Sequence, residues 1–301
     1  MVHGHLPGAG HFPRGAGVQP AGGRAAGRPR PPHAGCVRKE ADVPDTVLLE
    51  ELTWPEVQDL VARGVRTVVV VAASTEQHGP HLPLRTDALI AQAAGERVAR
   101  RLGGLLAPVI RPGCSDHHLA FPGSLSVTPP LLVDLVCSYV RSLVPHGFDT
   151  FVLLSSHGGN FRALEVAVTR LREEFGPRGI RVVGVAGDAS LHEMMRAMVD
   201  VAAALGAPQD VDAIHADACE TSLVLHLQPD LVRTDRVEAG FTGRLDLDTL
   251  FRKGLRAITA NGVLGDPRAA RADIGAAVLE RLVDYWVDKV REQLQRHGPV
   301  R

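Results

Sequence analysis

The chain alternates short apolar runs with longer stretches in which apolar residues recur every three or four positions. The runs RTVVVVAA (66–73), FVLLSS (151–156) and RVVGVAG (181–187) are continuous and rich in β-branched residues. Uniform hydrophobicity of this kind suits strands buried on both faces of a parallel sheet, where a polar face has no place. Helical spacing covers 54–63, 87–102, 130–145, 160–175 and 188–205, with a long final helix over 269–294. The alternation predicts an α/β fold: a three-layer α-β-α sandwich with a mostly parallel central sheet and right-handed crossovers.

Residues 1–44 break this pattern. They are dense in Gly, Pro, Ala and Arg, with almost no aliphatic periodicity, and such a segment cannot repay the entropy of ordering. It is expected to be a disordered extension, and its irregularly spaced His3, His5, His11 and His33 to be no metal tract. No linker interrupts residues 45 to 295, so 45–301 reads as a single domain.

Composition narrows the function. With 33 basic and 34 acidic side chains the net charge is -1, which removes the electrostatic case for nucleic acid as a partner. No apolar run approaches the roughly 18 to 20 residues that span a bilayer, so no membrane partner is expected. Cys36, Cys114, Cys137 and Cys219 are scattered without the close spacing of a zinc knuckle or a disulfide framework. Free thiols and the lack of a signal-peptide apolar core predict a cytoplasmic protein.

Candidate chemistry collects at strand ends. STEQHGPHLPLRTD (74–87) follows the strongest strand, and the carboxyl ends of strands in open parallel sheets hold active sites. Glu76 and His78 stand two apart, so an extended backbone points both to one face. Asp87 opens a predicted helix, where it is either a ligand or only a cap, just as His78 is either a ligand or only a loop residue. SSHGGN (155–160) presents His157 after the next strand, HADACETS (215–222) carries His215 and Glu220 ahead of an apolar helical stretch, and the loop GCSDHHLAFPGSLSV (113–127) holds His117 and His118. Glu76, His78, Asp87, His157 and Glu220 form a mixed oxygen and imidazole set of the kind Zn, Mn or Fe(II) accepts. Three carboxylates and two imidazoles suffice for two divalent metal ions sharing one carboxylate. Such a pair can hold a bridging hydroxide and polarise a carbonyl, which points to hydrolysis of an amide-like bond. HGGN lacks the glycine pattern of a phosphate loop.

These residues resemble the creatininase (creatinine amidohydrolase) family over residues 50 to 292, through STEQHGPHLPLRTD, HHLAFPGSLS, SHGGN, HADACETSLVL with QPDLV, and GVLGDP (262–267), in family order. The resemblance implies the three-layer fold, a binuclear metal site, hydrolysis of non-peptide C–N bonds in a small cyclic or linear amide, and a homo-oligomer, frequently a hexamer. It implies that Glu76 and His157 bind one metal, His78 the other, and that Asp87 bridges. The family's further carboxylate falls at Gly159 here, so Glu220 is the nearest candidate for that role, as ligand or as catalytic acid/base. His215 resembles the histidine that contacts substrate and could protonate the leaving nitrogen. Ser115 and His118 are expected to face substrate, and Arg85 either binds a substrate carboxylate or points to solvent.

The family's tryptophan just before that histidine is missing from DVDAIH (210–215), and Trp54 and Trp286 fall in predicted helices where packing is expected. Creatinine is therefore not the expected substrate. Mycofactocin-type members, which trim a dipeptide from a modified precursor peptide, share SHGGN, ETS and GVLGDP but usually lack the HHLAFPG wording. A reading from another class is a binding or assembly subunit with a relic site.

Overall fold

The computed structural model describes residues 46–209 and 214–296; the predicted extension, with its histidines and Cys36, and residues 210–213 lie outside them. Its sheet has the order β2-β1-β3-β4, formed by β1 (Thr67–Ala72), β2 (Leu105–Leu106), β3 (Thr150–Ser155) and β4 (Arg181–Gly184). Every pairing is parallel, with Thr67 opposite Thr150 and Ala72 opposite Ser155 at the centre of the sheet.

Side chains of period two split the core in two. Val69, Val71, Val152, Leu154 and Val183 face one side of the sheet, and Val68, Val70, Phe151, Leu153 and Val182 the other. The first face is covered by α2 (Thr86–Arg101), α5 (Gly187–Ala204), α6 (Ala218–Leu227) and α8 (Ala272–Arg296). The second is covered by α1 (Trp54–Ala62), α3 (Pro129–Leu143) and α4 (Phe161–Phe175). Burying each such side chain contributes about 1.5–3 kcal/mol, and covering both faces is what makes uniformly apolar strands stable here. The α/β three-layer expectation is met.

Two elements escape the hydrophobic pattern: β2, only two residues long, and α7 (Leu247–Lys253), where the pattern predicts no element. The predicted strand over 181–187 is shorter than expected, because Gly187 already opens α5. The tryptophans separate. Trp286 is fully buried in α8, as expected for packing, but Trp54 is 78% exposed at the first turn of α1. Trp54 is thus no core residue, a correction to the sequence reading. It sits beside a capping box in which Thr53 and Glu56 satisfy each other's backbone groups, so its position serves the helix start.

Candidate metal centre

The segment leaving β1 does not run on as a strand. Glu76 N–H donates to the carbonyl of Leu84 and Leu82 N–H to that of His78, folding residues 74–87 back over the end of the sheet. Asp87 follows in the first turn of α2, where no side chain makes a capping hydrogen bond. Its carboxylate is turned inward and buried, so of the two readings the cap is the one the structure removes. His157 comes from the end of β3. Glu220 lies in the first turn of α6, whose N-cap Asp217 accepts the Glu220 N–H at 3.0 Å. Just before that N-cap, Ala216 takes a positive φ of 52°, the one non-glycine residue to do so among those described. That strained backbone lets Ala216 N–H donate to Glu220 Oε2 at 2.6 Å.

These side chains converge. His157 Nδ1 lies 3.3 Å from Glu76 Oε1 and 3.5 Å from Asp87 Oδ2. His78 Nε2 lies 3.4 Å from Asp87 Oδ1 and 3.6 Å from Glu220 Oε2. Two donor groups result, Glu76–Asp87–His157 and His78–Asp87–Glu220, and Asp87 belongs to both. A third grouping, Glu76–His78–His215, overlaps them. The far nitrogen of each ligand histidine is occupied: His78 Nδ1 donates to the carbonyl of Glu76 at 3.1 Å and His157 Nε2 to that of Cys114 at 3.1 Å. Each ring thereby turns its other nitrogen into the cluster, where it can offer a lone pair once its proton is displaced, the arrangement that metal-binding histidines use.

Glu76 Oε2, His78 Nε2 and Asp87 Oδ2 are buried without a hydrogen-bond partner. Unpartnered polar atoms of this kind are costly, and a cation among them would satisfy all three. The residues present therefore fit bound metal.

The electrostatics agree. Burial opposes the charge on Glu76, but His157 and His118 outweigh it and hold its carboxyl well below the usual range. Burial raises Asp87 and Glu220, and His78 offsets this only in part. Burial also opposes charge on His78 and His157. The carboxylates of Asp87 and Glu220 nevertheless push His78 up to about 10, and that of Glu76 pushes His157 up to about 9. His215 and His118 are held well below the ordinary histidine value, chiefly by burial.

Above the cluster opens a cavity of about 760 Å³. His117, His118 and His215 line it, with Arg244, Leu250 and Phe251 from the α7 region. His118 Nε2 lies 3.4 Å and His215 Nδ1 4.0 Å from Glu76 Oε1. Ser115, an expected substrate contact, lies elsewhere, and Arg85 takes the solvent side of its two readings. Ser115 is buried beneath His157, its Oγ 2.6 Å from Ser74 Oγ and 3.2 Å from His157 Nε2, and it does not line the cavity. Arg85 donates to Gln228 Oε1 at 2.6 Å on the surface and also stays outside. Gln77, Phe251 and Leu250 were not singled out by the sequence reading. Gln77 had a signal in its place between Glu76 and His78, whereas the α7 residues had none.

A family model for creatinine amidohydrolase (creatininase) matches residues 50–290. The chain belongs to the creatininase family. Within the family it is 36% identical over 249 residues to the mycofactocin precursor peptide peptidase of Mycobacterium ulcerans, covering 79% of this chain and 85% of that protein. It is 29% identical over 258 residues to the creatinine amidohydrolase of Pseudomonas putida, covering 82% and 97%. A crystal structure of creatinine amidohydrolase superposes with a TM-score of 0.69 at 27% identity, over 85% of this chain and all of that one. The protein is a creatininase-family hydrolase, and its clustered Glu, Asp and His groups could bind metal. Among the described residues no helix is long and apolar enough to cross a membrane.

Proposed function

We propose that the protein is a metal-dependent amidohydrolase whose single domain, from residue 45 onward, works on two divalent ions, Zn, Mn or Fe(II). The observation that carries this reading is Asp87, shared by two three-residue donor groups at the floor of one cavity. Glu76 and His157 would hold one ion and His78 and Glu220 the other. When bound, such a pair brings water toward ionisation at neutral pH and polarises a carbonyl. The chain's own residues supply the rest. Neutral His215, its Nδ1 facing the cluster, is placed to take up a proton and return it to the leaving nitrogen. His118 borders the place where the carbonyl would lie, and Leu250 and Phe251 give the cavity an apolar wall.

The substrate is a small cyclic or linear amide in the broader reading. A peptide amide is the second reading, and the higher identity to the mycofactocin precursor peptide peptidase, 36% against 29% for the creatinine amidohydrolase, favours it. A cytoplasmic homo-oligomer, hexameric by family resemblance, belongs to the same proposal.

Elemental analysis of protein purified without chelator or affinity-metal resin tests it, beside an Asp87→Ala control. Near two equivalents per chain, falling sharply in the control, is the expected result. No metal, and no uptake on adding Zn, Mn or Fe(II), would move the assignment to a binding or assembly subunit. Loaded enzyme is then assayed on cyclic amides, formamides and peptides offering a C-terminal dipeptide, and turnover confined to the peptides would select the second reading.

A further inference from the structure

Arg85 stays outside the cavity, but two other arginines, Arg162 and Arg244, lie on its wall. Arg162 makes a bidentate pair with Asp188, its Nε 2.9 Å from Oδ1 and its Nη2 2.7 Å from Oδ2. Arg244 has no hydrogen bond or ion pair among the described residues. Of the carboxylates that line the cavity outside the donor groups, Asp188 is held by Arg162, and Asp116 accepts from Ser126 Oγ. The Arg244 guanidinium is left for whatever enters.

The segment that carries Arg244 is pinned at both ends to residues around the donor groups. At its start Phe241 N–H donates to the carbonyl of Val263 at 3.0 Å and accepts from Gly265 N–H at 2.8 Å. Leu264, between those two, exchanges both backbone hydrogen bonds with His215. At its end Phe251 meets the His117 ring edge-on at 5.6 Å, and His117 lies nearly parallel to His157 at 6.0 Å. Gly254, at φ +79°, passes so close that a Cβ there would stand 3.3 Å from the carbonyl oxygen of His117. One wall of the cavity therefore carries Arg244 together with the apolar side chains of Leu245, Leu250 and Phe251.

A cavity of about 760 Å³ falls in the range that encloses drug-sized ligands, so it has room for groups beyond a scissile amide. A guanidinium is always charged, and its planar fork matches a carboxylate through two parallel hydrogen bonds. We infer that Arg244 binds a carboxylate of the substrate, so that the amides this site selects are anionic, with apolar atoms beside the charge. The inference rests on the proposed hydrolase reading and narrows it, because a neutral amide lacks the group that Arg244 holds.

Two matched pairs test this on the zinc-loaded full chain. One is a lactam bearing a carboxylate against its carboxamide; the other is an N-acetylated tripeptide of apolar residues with a free C-terminal carboxylate against its C-terminal carboxamide. In at least one pair the carboxylate is expected to show a KM lower by about 10- to 100-fold, the size of a hydrogen-bonded charge contact. Arg244→Gln should abolish that preference, and Arg244→Lys, which keeps the charge without the fork, should restore part of it. A preference in the lactam pair marks a small cyclic acid as the source of the carboxylate, and one in the peptide pair marks a chain terminus. Equal KM values within both pairs, or a preference that survives in Arg244→Gln, would overturn the inference. Arg244 is exposed, so both variants should fold, and melting and zinc content check that they do. Turnover of none of the four compounds would count against the hydrolase reading alone. Calorimetric Kd values for the same pairs, read for the same loss in Arg244→Gln, would then decide the inference.

Discussion

A Cβ on Gly159 would stand 2.2 Å from the carbonyl oxygen of Cys114. No side chain fits there without a backbone shift, so a carboxylate cannot enter the centre from this position. Gly159→Ala is expected to cost about 1–3 kcal/mol through overpacking. The same Cβ would lie 2.6 Å from His157 Nε2, so the ring must also move and metal equivalents should fall. Thermal melting paired with elemental analysis checks both, and an unchanged variant would refute the steric account.

Glu220 approaches instead from α6, near His78 and Asp87 and away from His157. Glu220→Gln keeps the side-chain volume and removes the charge, so it should lower metal content from near two equivalents toward one. Activity should drop by more than the roughly 10- to 100-fold typical of lost outer contacts. Asp87→Asn, which touches both groups, should lose both ions. Equal metal loss in the two variants would argue against a shared carboxylate.

Without metal, His78 and His157 are pushed up to about 10 and about 9, against about 6.5 in an unfolded chain. A raised folded value gives stability that is complete below about pH 6.5 and is lost as pH climbs through the folded values. The chelated protein should therefore melt at progressively lower temperature from about pH 7 to about pH 10. Ligation needs neutral imidazoles, so metal uptake should tighten over the same window with release of protons. Fluorimetric melting in chelator reads the first effect and titration calorimetry in buffers of different ionisation enthalpy the second. A melting temperature that does not change across that window would mean these rings carry no proton in the metal-free cluster.

The two tryptophans make a contrast. Trp286→Ala should destabilise by about 3–5 kcal/mol, as for large buried aromatics, while Trp54→Ala, at a position 78% exposed, should stay within about 0.5 kcal/mol. Urea denaturation of both variants settles this, and similar losses would contradict the burial described.

The sheet's long strands were legible because Val68, Val70, Phe151 and Leu153 need one apolar layer and Val69, Val71, Val152 and Leu154 another, which leaves no polar period to mislead. Leu105 and Leu106 are too few to carry a period at all, and α7 is a seven-residue helix set in a loop. The gathering of Glu76, His78, Asp87 and His157 followed from strand ends, a property of topology. Ser115 was expected in the cavity and Arg85 was open between substrate and solvent, because a loop side chain has no alternation rule. Ser115 instead bonds beneath His157 and Arg85 reaches Gln228. Gln77 should point away from its neighbours in an extended strand, yet the fold-back of residues 74–87 brings His118 and His215 to it.

Glu220 rides on α6, which packs along α8, while the other four proposed ligands leave the sheet or the helix that follows it. A cation held at that junction would act as a stitch between distant parts of the chain, and free energy is reciprocal across such a stitch. Whatever loosens α8 would then weaken the hold on the ion, and whatever strips the ion would loosen α8. A change far out along α8 could thus empty the centre without touching any of the five residues.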